Sequence, residues 1–525
     1  MARLQLIIPL LLWGIWHPSD STPELQWASP VEGTLAYFAA VLAVVAWATF
    51  KARLTMRRTT VERADAVPRF HRAAFVARWT LIFLHGVALW YLGYGEAVMA
   101  LAGPAGRRFP SLPAALSILP VVSAWIGLMA AQYPLDRAVR EQNAVYAFEF
   151  GEPVHPVPSK AAYVLHGVRS QVLFTLVPLV VLAVLRDCIA WGAISLFSLT
   201  ADTAEWLSTF GALILVVVLS PELLRRVLPT TPLPPSAVRD RLLGLSRHLR
   251  LGVRDVLLWH THFAAGNAAV MGVVPGVRYV MMTDLLLQSM PPEQVEAVFA
   301  HEAGHVVHRH IAWYIAFWVA MVLWLEVIGQ YLARTGMIGA ATVEWIVPSL
   351  GLAAVVVAFG WLSRGFERQA DAFAARWIGR SNNAEAQPAD GSAVFAAALR
   401  SVARMNNLPL DLHGMIAGRP LLGRLIGRMV HHGATWLHGG IRSRIHHVAA
   451  LTHDATAAKR FRIKMIAVRV AIGGLLATAI LTTVATQKTQ ARRPADRDGT
   501  YSEKTNSTST DALRGSALTP TAARA

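Results

Sequence analysis

HEAGHVVHRH, residues 301–310, places four histidines and one glutamate in ten positions. His301 and His305 are four apart. On a helix that spacing is about 400° of rotation, so both imidazoles leave one face, one turn apart. Two neutral imidazoles so placed can share one tetrahedral metal ion. Glu302 projects to the side, where a carboxylate can reach an activated water, the arrangement called H-E-x-x-H. The same stretch runs straight into IAWYIAFWVAMVLWLEVIGQYLA (311–333), long enough to cross about 30 Å of hydrocarbon. A His-rich patch at a membrane surface is the plainer alternative, so the rest of the chain has to decide.

The chain has 525 residues, 54% hydrophobic and only 15% charged, with a mean hydropathy of +0.42. Soluble proteins are about a quarter charged, so this is the balance of a multi-pass membrane protein. The formal net charge of +17 lies mostly in loops between apolar runs. That is the pattern of cytoplasmic loops, and no nucleic-acid-binding motif accompanies it, so no nucleic-acid partner is expected. The one cysteine, Cys188, excludes an intramolecular disulfide and a cysteine metal cluster.

Apolar runs at 33–50, 75–95, 113–133, 171–190, 207–224, 312–333, 346–363 and 466–486 read as transmembrane helices. The fourth is interrupted by Arg186 and Asp187 near its end. Residues 4–16 are apolar but short, fitting a signal-like segment, an interfacial helix or an extra span. Eight Lys and Arg between 51 and 78 place that loop in the cytoplasm, and the span count then puts 191–206, which has neither, outside. Arg107 and Arg108 are the exception. Residues 225–311 and 364–465 come out cytoplasmic.

Those inside segments carry the chemistry. A Pro-rich boundary leads to a helix, then DVLLWH (255–260) reads as a strand. NAAVMG (267–272) and RYVMMT (278–283) flank Pro275-Gly276 and read as a β-hairpin. Residues 292–310 read as one helix, opened by Pro291 and Pro292 with acids at 293 and 296. Residues 381–392 read as a loop. The expected organisation is an N-terminal transmembrane region (1–224), a domain carrying the H-E-x-x-H motif (225–465) interrupted by a two-span hairpin (312–363), a final span (466–486) and a disordered tail (487–525). The fold class is mainly α: a polytopic membrane protein of about eight transmembrane helices with a membrane-associated α+β domain holding a small hairpin or sheet.

A catalytic zinc takes three protein ligands and an open position. A metzincin would continue with Gly at 308 and His at 311, but the chain has His308 and Ile311. A straight helix spreads 301, 305 and 308 over about 10 Å, too far for one ion. His310 points elsewhere on such a helix, so His308 and His310 read as surface histidines. Glu367, in SRGFERQADAFAARW (363–377), lies about one turn after the hairpin leaves the membrane, and His305 about two turns before it enters. An antiparallel hairpin brings them together. The competing reading pairs Glu367 and Asp371 with Arg364 and Arg368 on an ordinary helix surface.

H-E-A-G-H, two spans and then E-R-Q-A-D resemble the integral-membrane gluzincins that include the type 1 CAAX prenyl protease and the HtpX-like proteases. The likeness covers roughly residues 235–450. It implies a zinc endopeptidase with one Zn²⁺ per chain held by His301, His305 and Glu367, with Glu302 as general base. Asp371 would orient a ligand. Asn267 and Ala268 match a pair on the substrate-binding edge strand. His438 and Arg444 keep the spacing of a distal pair that would stabilise an oxyanion, although Gly439 stands where the family has proline. The implied substrates are peptides or membrane proteins, and the expected setting is a lipid bilayer, a bacterial inner membrane with the zinc site on its cytoplasmic side. Gly304 suits a close backbone approach or a plain helix contact. Glu326, inside a span, fits a cavity lining or a structural pairing. A catalytically dead zinc scaffold and a transporter stay as alternatives. Retention of Glu302 weighs against the first, and the lack of an inverted repeat against the second.

Overall fold

The long apolar runs form helices because lipid leaves a spanning backbone no partner but itself. The computed structural model describes residues 5–16, 29–59, 63–149, 154–336, 339, 347–381, 388–406 and 437–491. Among them, eight helices are long and apolar enough to cross a membrane: Pro30–Met56, Ala73–Tyr91, Ser111–Gln142, Lys160–Phe197, Thr203–Val227, His310–Thr335, Leu350–Gly379 and Ala455–Thr486. Each overlaps one of the eight apolar runs. The chain is a mainly α, multi-pass membrane protein. Arg186 and Asp187 do not break their helix. Arg186 pairs with Glu205 at 2.8 Å, and Asp187 accepts the Ser111 N–H at 2.7 Å, so neither charge is left bare. The helix Ile8–Ile15 has eight residues, about 12 Å, too short to cross.

The chain divides into two units, residues 1–312 with 357–465, and 313–356 with 466–525. In the second, Glu326 accepts a hydrogen bond from Gln330 Nε2 at 2.8 Å, one turn along its own helix. Every residue of the H-E-x-x-H neighbourhood described below belongs to the first. The tail beyond residue 491 lies outside the described residues.

The first unit holds a four-stranded sheet ordered β1-β2-β4-β3, with β1 Thr230–Pro232, β2 Val253–Trp259, β3 Ala268–Met271 and β4 Arg278–Thr283. β3 and β4 are the expected antiparallel hairpin, Val270 opposite Val280. β2 runs parallel to β4. β1 is new: three residues ending in proline, tolerated because the strand lies at an edge. β4 is buried throughout, as a strand between two neighbours and under helices must be. β3 is the other edge.

α1 (Ala237–His248), α2 (Asp284–Ser289), α3 (Pro292–Val307), α4 (His310–Thr335), α5 (Val347–Ser381), α6 (Pro388–Met405), α7 (Ile441–His453) and α8 (Ala455–Ala491) complete this half of the chain. α3 starts on Pro292 with Glu293 in its first turn, as expected. Val295, Phe299, Ala300 and Ala303 recur at helical spacing and are buried, packed with Val256, Val280, Phe395 and Ala374 in one core.

Two expectations need correction here. The helix expected over 292–310 stops at Val307, because His308 leaves helical geometry and Arg309 adopts φ 54°, so His310 opens a new helix. The loop expected over 381–392 is shorter: α5 runs through Ser381 and α6 begins at Pro388, with 382–387 outside the described residues. Pro388 fits the first turn of a helix as well as a loop.

Candidate metal centre and cleft

α3 and α5 cross at Gly304. A Cβ there would lie 3.0 Å from the Ala370 Cα and 3.3 Å from its Cβ, tighter than most real side-chain contacts. The glycine is thus both a helix contact and a close backbone approach. It sets His301 and His305, on one side of α3, against Glu367 and Asp371, which flank Ala370 on α5.

His301 Nε2 lies 3.3 Å from His305 Nε2. Glu367 Oε2 is 3.5 Å from the first, and its Oε1 is 3.7 Å from the second. Ligands about 2.0–2.1 Å from a tetrahedral centre are about 3.4 Å from one another. These three groups, with ligand atoms within 4.8 Å of each other, match that edge length. Two ring nitrogens and a carboxylate converging on one point repel unless a cation or proton lies between them, so the donor set fits a zinc-sized ion. Burial disfavours a charged His301, but contacts with Asp371 and Glu367 outweigh it and raise its pKa to about 10. Burial and the neighbouring His301 lower His305 to about 4.

Each ligand is backed by further groups. Asp371 is fully buried and its Oδ1 lies 2.9 Å from His301 Nδ1. That nitrogen nevertheless lacks a well-directed hydrogen bond, so we read the pair as a charge contact with the oxygen off the N–H axis. Arg444 from α7 donates to Asp371 from Nε at 2.9 Å and Nη2 at 2.6 Å, and its Nη1 lies 3.4 Å from Glu367 Oε2. Burial opposes the guanidinium charge, but Asp371 and Glu367 more than offset it and hold the Arg444 pKa up. His438 Nδ1 lies 2.9 Å from Glu367 Oε1, with 65% of its side chain exposed. Gly439 beside it adopts φ 76°, which proline, fixed near −65°, cannot reach. The backbone therefore takes a route here that the family proline would forbid.

Glu302 faces the cleft next to the three ligand groups, and burial raises its pKa. Its Oε2 accepts the Val270 N–H at 3.4 Å, so an outward backbone donor of the edge strand points at the same spot. Asn267 is exposed and Ala268 buried, and both line the cleft. Asn267 is fixed at its backbone: its N–H donates to Thr283 Oγ1 at 2.9 Å, and its carbonyl accepts from Thr283 N at 3.0 Å.

The cleft holds about 560 Å³. Its walls are β3, α3 and an apolar side from α6 that includes Phe395, Ala398, Leu399 and Val402. Sequence reasoning missed that wall. Its signal, alanine and apolar residues at helical spacing through 394–403, was legible as a helix but not as a cleft.

The expectation for His310 also needs correction. It is not a surface histidine: it is fully buried and its Nδ1 lies 2.9 Å from His305 Nδ1. His308 is half-buried with its ring near Phe373. Neither joins the three-residue ligand group.

A multi-pass membrane chain with this His-His-Glu group and a glutamate in the same cleft is a metallopeptidase. Residues 244–401 match the model of peptidase family M48. No curated protein matches the sequence. Among solved structures, the crystal structure of S. mikatae Ste24p is similar, at 14% identity and a TM-score of 0.43 over 78% of this chain and 98% of that one.

Proposed function

We propose that this metalloprotease is a zinc endopeptidase that cuts extended segments of membrane-associated or unfolded polypeptides at the cytoplasmic surface of a bacterial inner membrane. The observation that carries this is the tetrahedral spacing of His301 Nε2, His305 Nε2 and Glu367, beside a half-buried Glu302 in one cleft. When bound, zinc acidifies water and polarises the scissile carbonyl.

The chain's own residues do the rest. A substrate strand adds to the free edge of β3 beside Asn267 and Ala268, with its flanking side chains against the apolar α6 wall. Glu302 takes the proton from the attacking water and passes it to the leaving amine. Asp371 orients His301. The three nitrogens of Arg444 face carboxylates, so it holds Asp371 and Glu367 while still lining the cleft. The exposed His438, held at Nδ1 by Glu367, keeps Nε2 for a developing oxyanion.

Glu302→Gln tests this reading. It is expected to keep about one zinc per chain while turnover of a peptide in detergent falls roughly 10² to 10⁴-fold. Full activity in this variant would overturn Glu302 as the base. Reporter fusions after residues 70, 200, 260 and 400 are expected to read in, out, in, in. An outside signal at 260 would overturn the cytoplasmic placement.

A further inference from the structure

His310 lies five residues after His305. On an unbroken helix that is about 500° of rotation, so its side chain would leave the face that His305 uses. The chain is not straight there. α3 ends at Val307, Arg309 takes the left-handed conformation at φ 54°, and α4 restarts at His310. The turn folds the His310 ring back under His305. The ring is fully buried and stacks on Phe366 with centroids 4.3 Å apart and planes within 3°. Its Nδ1 lies 2.9 Å from His305 Nδ1, and its Nε2 lies 3.1 Å from Gln369 Oε1. Gln369 sits on α5 midway between Glu367 and Asp371, so one short stretch of that helix reaches both ligand histidines.

The proton positions along this chain follow from donor and acceptor chemistry. A carbonyl oxygen only accepts, so the Gln369 Oε1 contact puts the hydrogen on His310 Nε2. A neutral His310 then has a lone pair at Nδ1. The 2.9 Å contact requires one hydrogen between the two Nδ1 atoms, and it therefore sits on His305. His305 Nε2 is left with its lone pair, aimed at His301 Nε2 and Glu367. The reverse orientation of the Gln369 amide would donate to His310, make His310 donate to His305, and put a hydrogen on the His305 nitrogen that faces the site. Only one direction of the relay leaves a ligand.

We propose that His310 and Gln369 are positioning residues that fix His305 in the tautomer and ring orientation able to hold the metal. This rests on the zinc reading of the site. Partners of this kind are worth about 10- to 100-fold in metal affinity.

The test is the zinc dissociation constant of the full-length protein in detergent, measured by chelator competition, for three variants. His310→Leu keeps an apolar ring-sized group but no acceptor, and is expected to bind zinc about 10- to 100-fold more weakly. His310→Asn can offer Oδ1 where Nδ1 was, and is expected to stay within about threefold of the parent. Gln369→Met removes only the far acceptor and is expected to weaken zinc severalfold, which keeps the proposal testable if the leucine variant fails to fold. Parent-like affinity in both His310→Leu and Gln369→Met would overturn the relay. So would equal losses in His310→Leu and His310→Asn, because packing alone would then explain them. Absence of stoichiometric zinc in the parent protein would instead overturn the zinc reading itself, a distinguishable failure.

Discussion

The two sides of the candidate metal centre present the same atom, Nε2 of a histidine on α3, but support it by different means. Behind His301 stand Asp371 and Arg444, a buried ion pair joined by two hydrogen bonds. Behind His305 stand His310 and Gln369, joined side chain to side chain. The charged side also carries fold stability, since a buried ion that loses its partner is costly. The role proposed for the His310 side is orientation, with its ring also packed on Phe366. The difference teaches that one centre can place its structural and its geometric demands on separate residues.

Arg444→Met should separate the two sides most strongly. It leaves Asp371 and Glu367 buried without their cation, and stability is expected to fall by about 3–5 kcal/mol. Thermal melting in detergent would show it. Melting like the parent's would mean that the ion pair is dispensable and that the contrast drawn here is empty.

Asp371→Asn comes next. It keeps the shape beside His301 but removes the charge, and zinc affinity is expected to fall about 10- to 100-fold. Chelator competition reads this directly, and an unchanged constant would remove Asp371 from the ligand's support. Gly304→Ala acts on both sides at once, because the new methyl meets Ala370 at 3.0–3.3 Å. The cost expected from such overpacking is about 1–3 kcal/mol, with zinc binding weakened at His301 and His305 alike. An alanine that left both melting and zinc binding unchanged would show that the helix crossing has slack. The smallest effect is expected from His308→Ala, within about 0.5 kcal/mol and with zinc retained. A loss of zinc there would bring His308 into the site.

Much of this was legible in the residues. The spans follow from length and apolarity, so each of the eight apolar runs overlaps a long apolar helix among the described residues. The hairpin followed from two β-rich segments around Pro275-Gly276. His301, Glu302 and His305 are local to one helix and can be read from spacing. Glu367 needed the additional step of counting two spans.

What stayed hidden depends on a break in regular geometry. His310 was placed on a continued helix, and a single left-handed residue, Arg309, turned it inward. Neither Arg309 nor its neighbours carry a glycine or proline to announce that turn. Gln369 lay in plain view inside E-R-Q-A-D, but its partner had been assigned to the surface. The commitment of Arg444 to carboxylates was equally invisible, because a spacing of six residues from His438 gives no direction for a guanidinium.

The central claim is that His301, His305 and Glu367 hold one zinc ion per chain. It is tested most directly by measuring zinc content of the purified protein by atomic spectroscopy beside that of Glu367→Ala. About one zinc per chain is expected in the parent, and loss of most of it in the variant, since the three-ligand set of a catalytic site would be broken. Zinc retained at the parent's level in Glu367→Ala would contradict the claim.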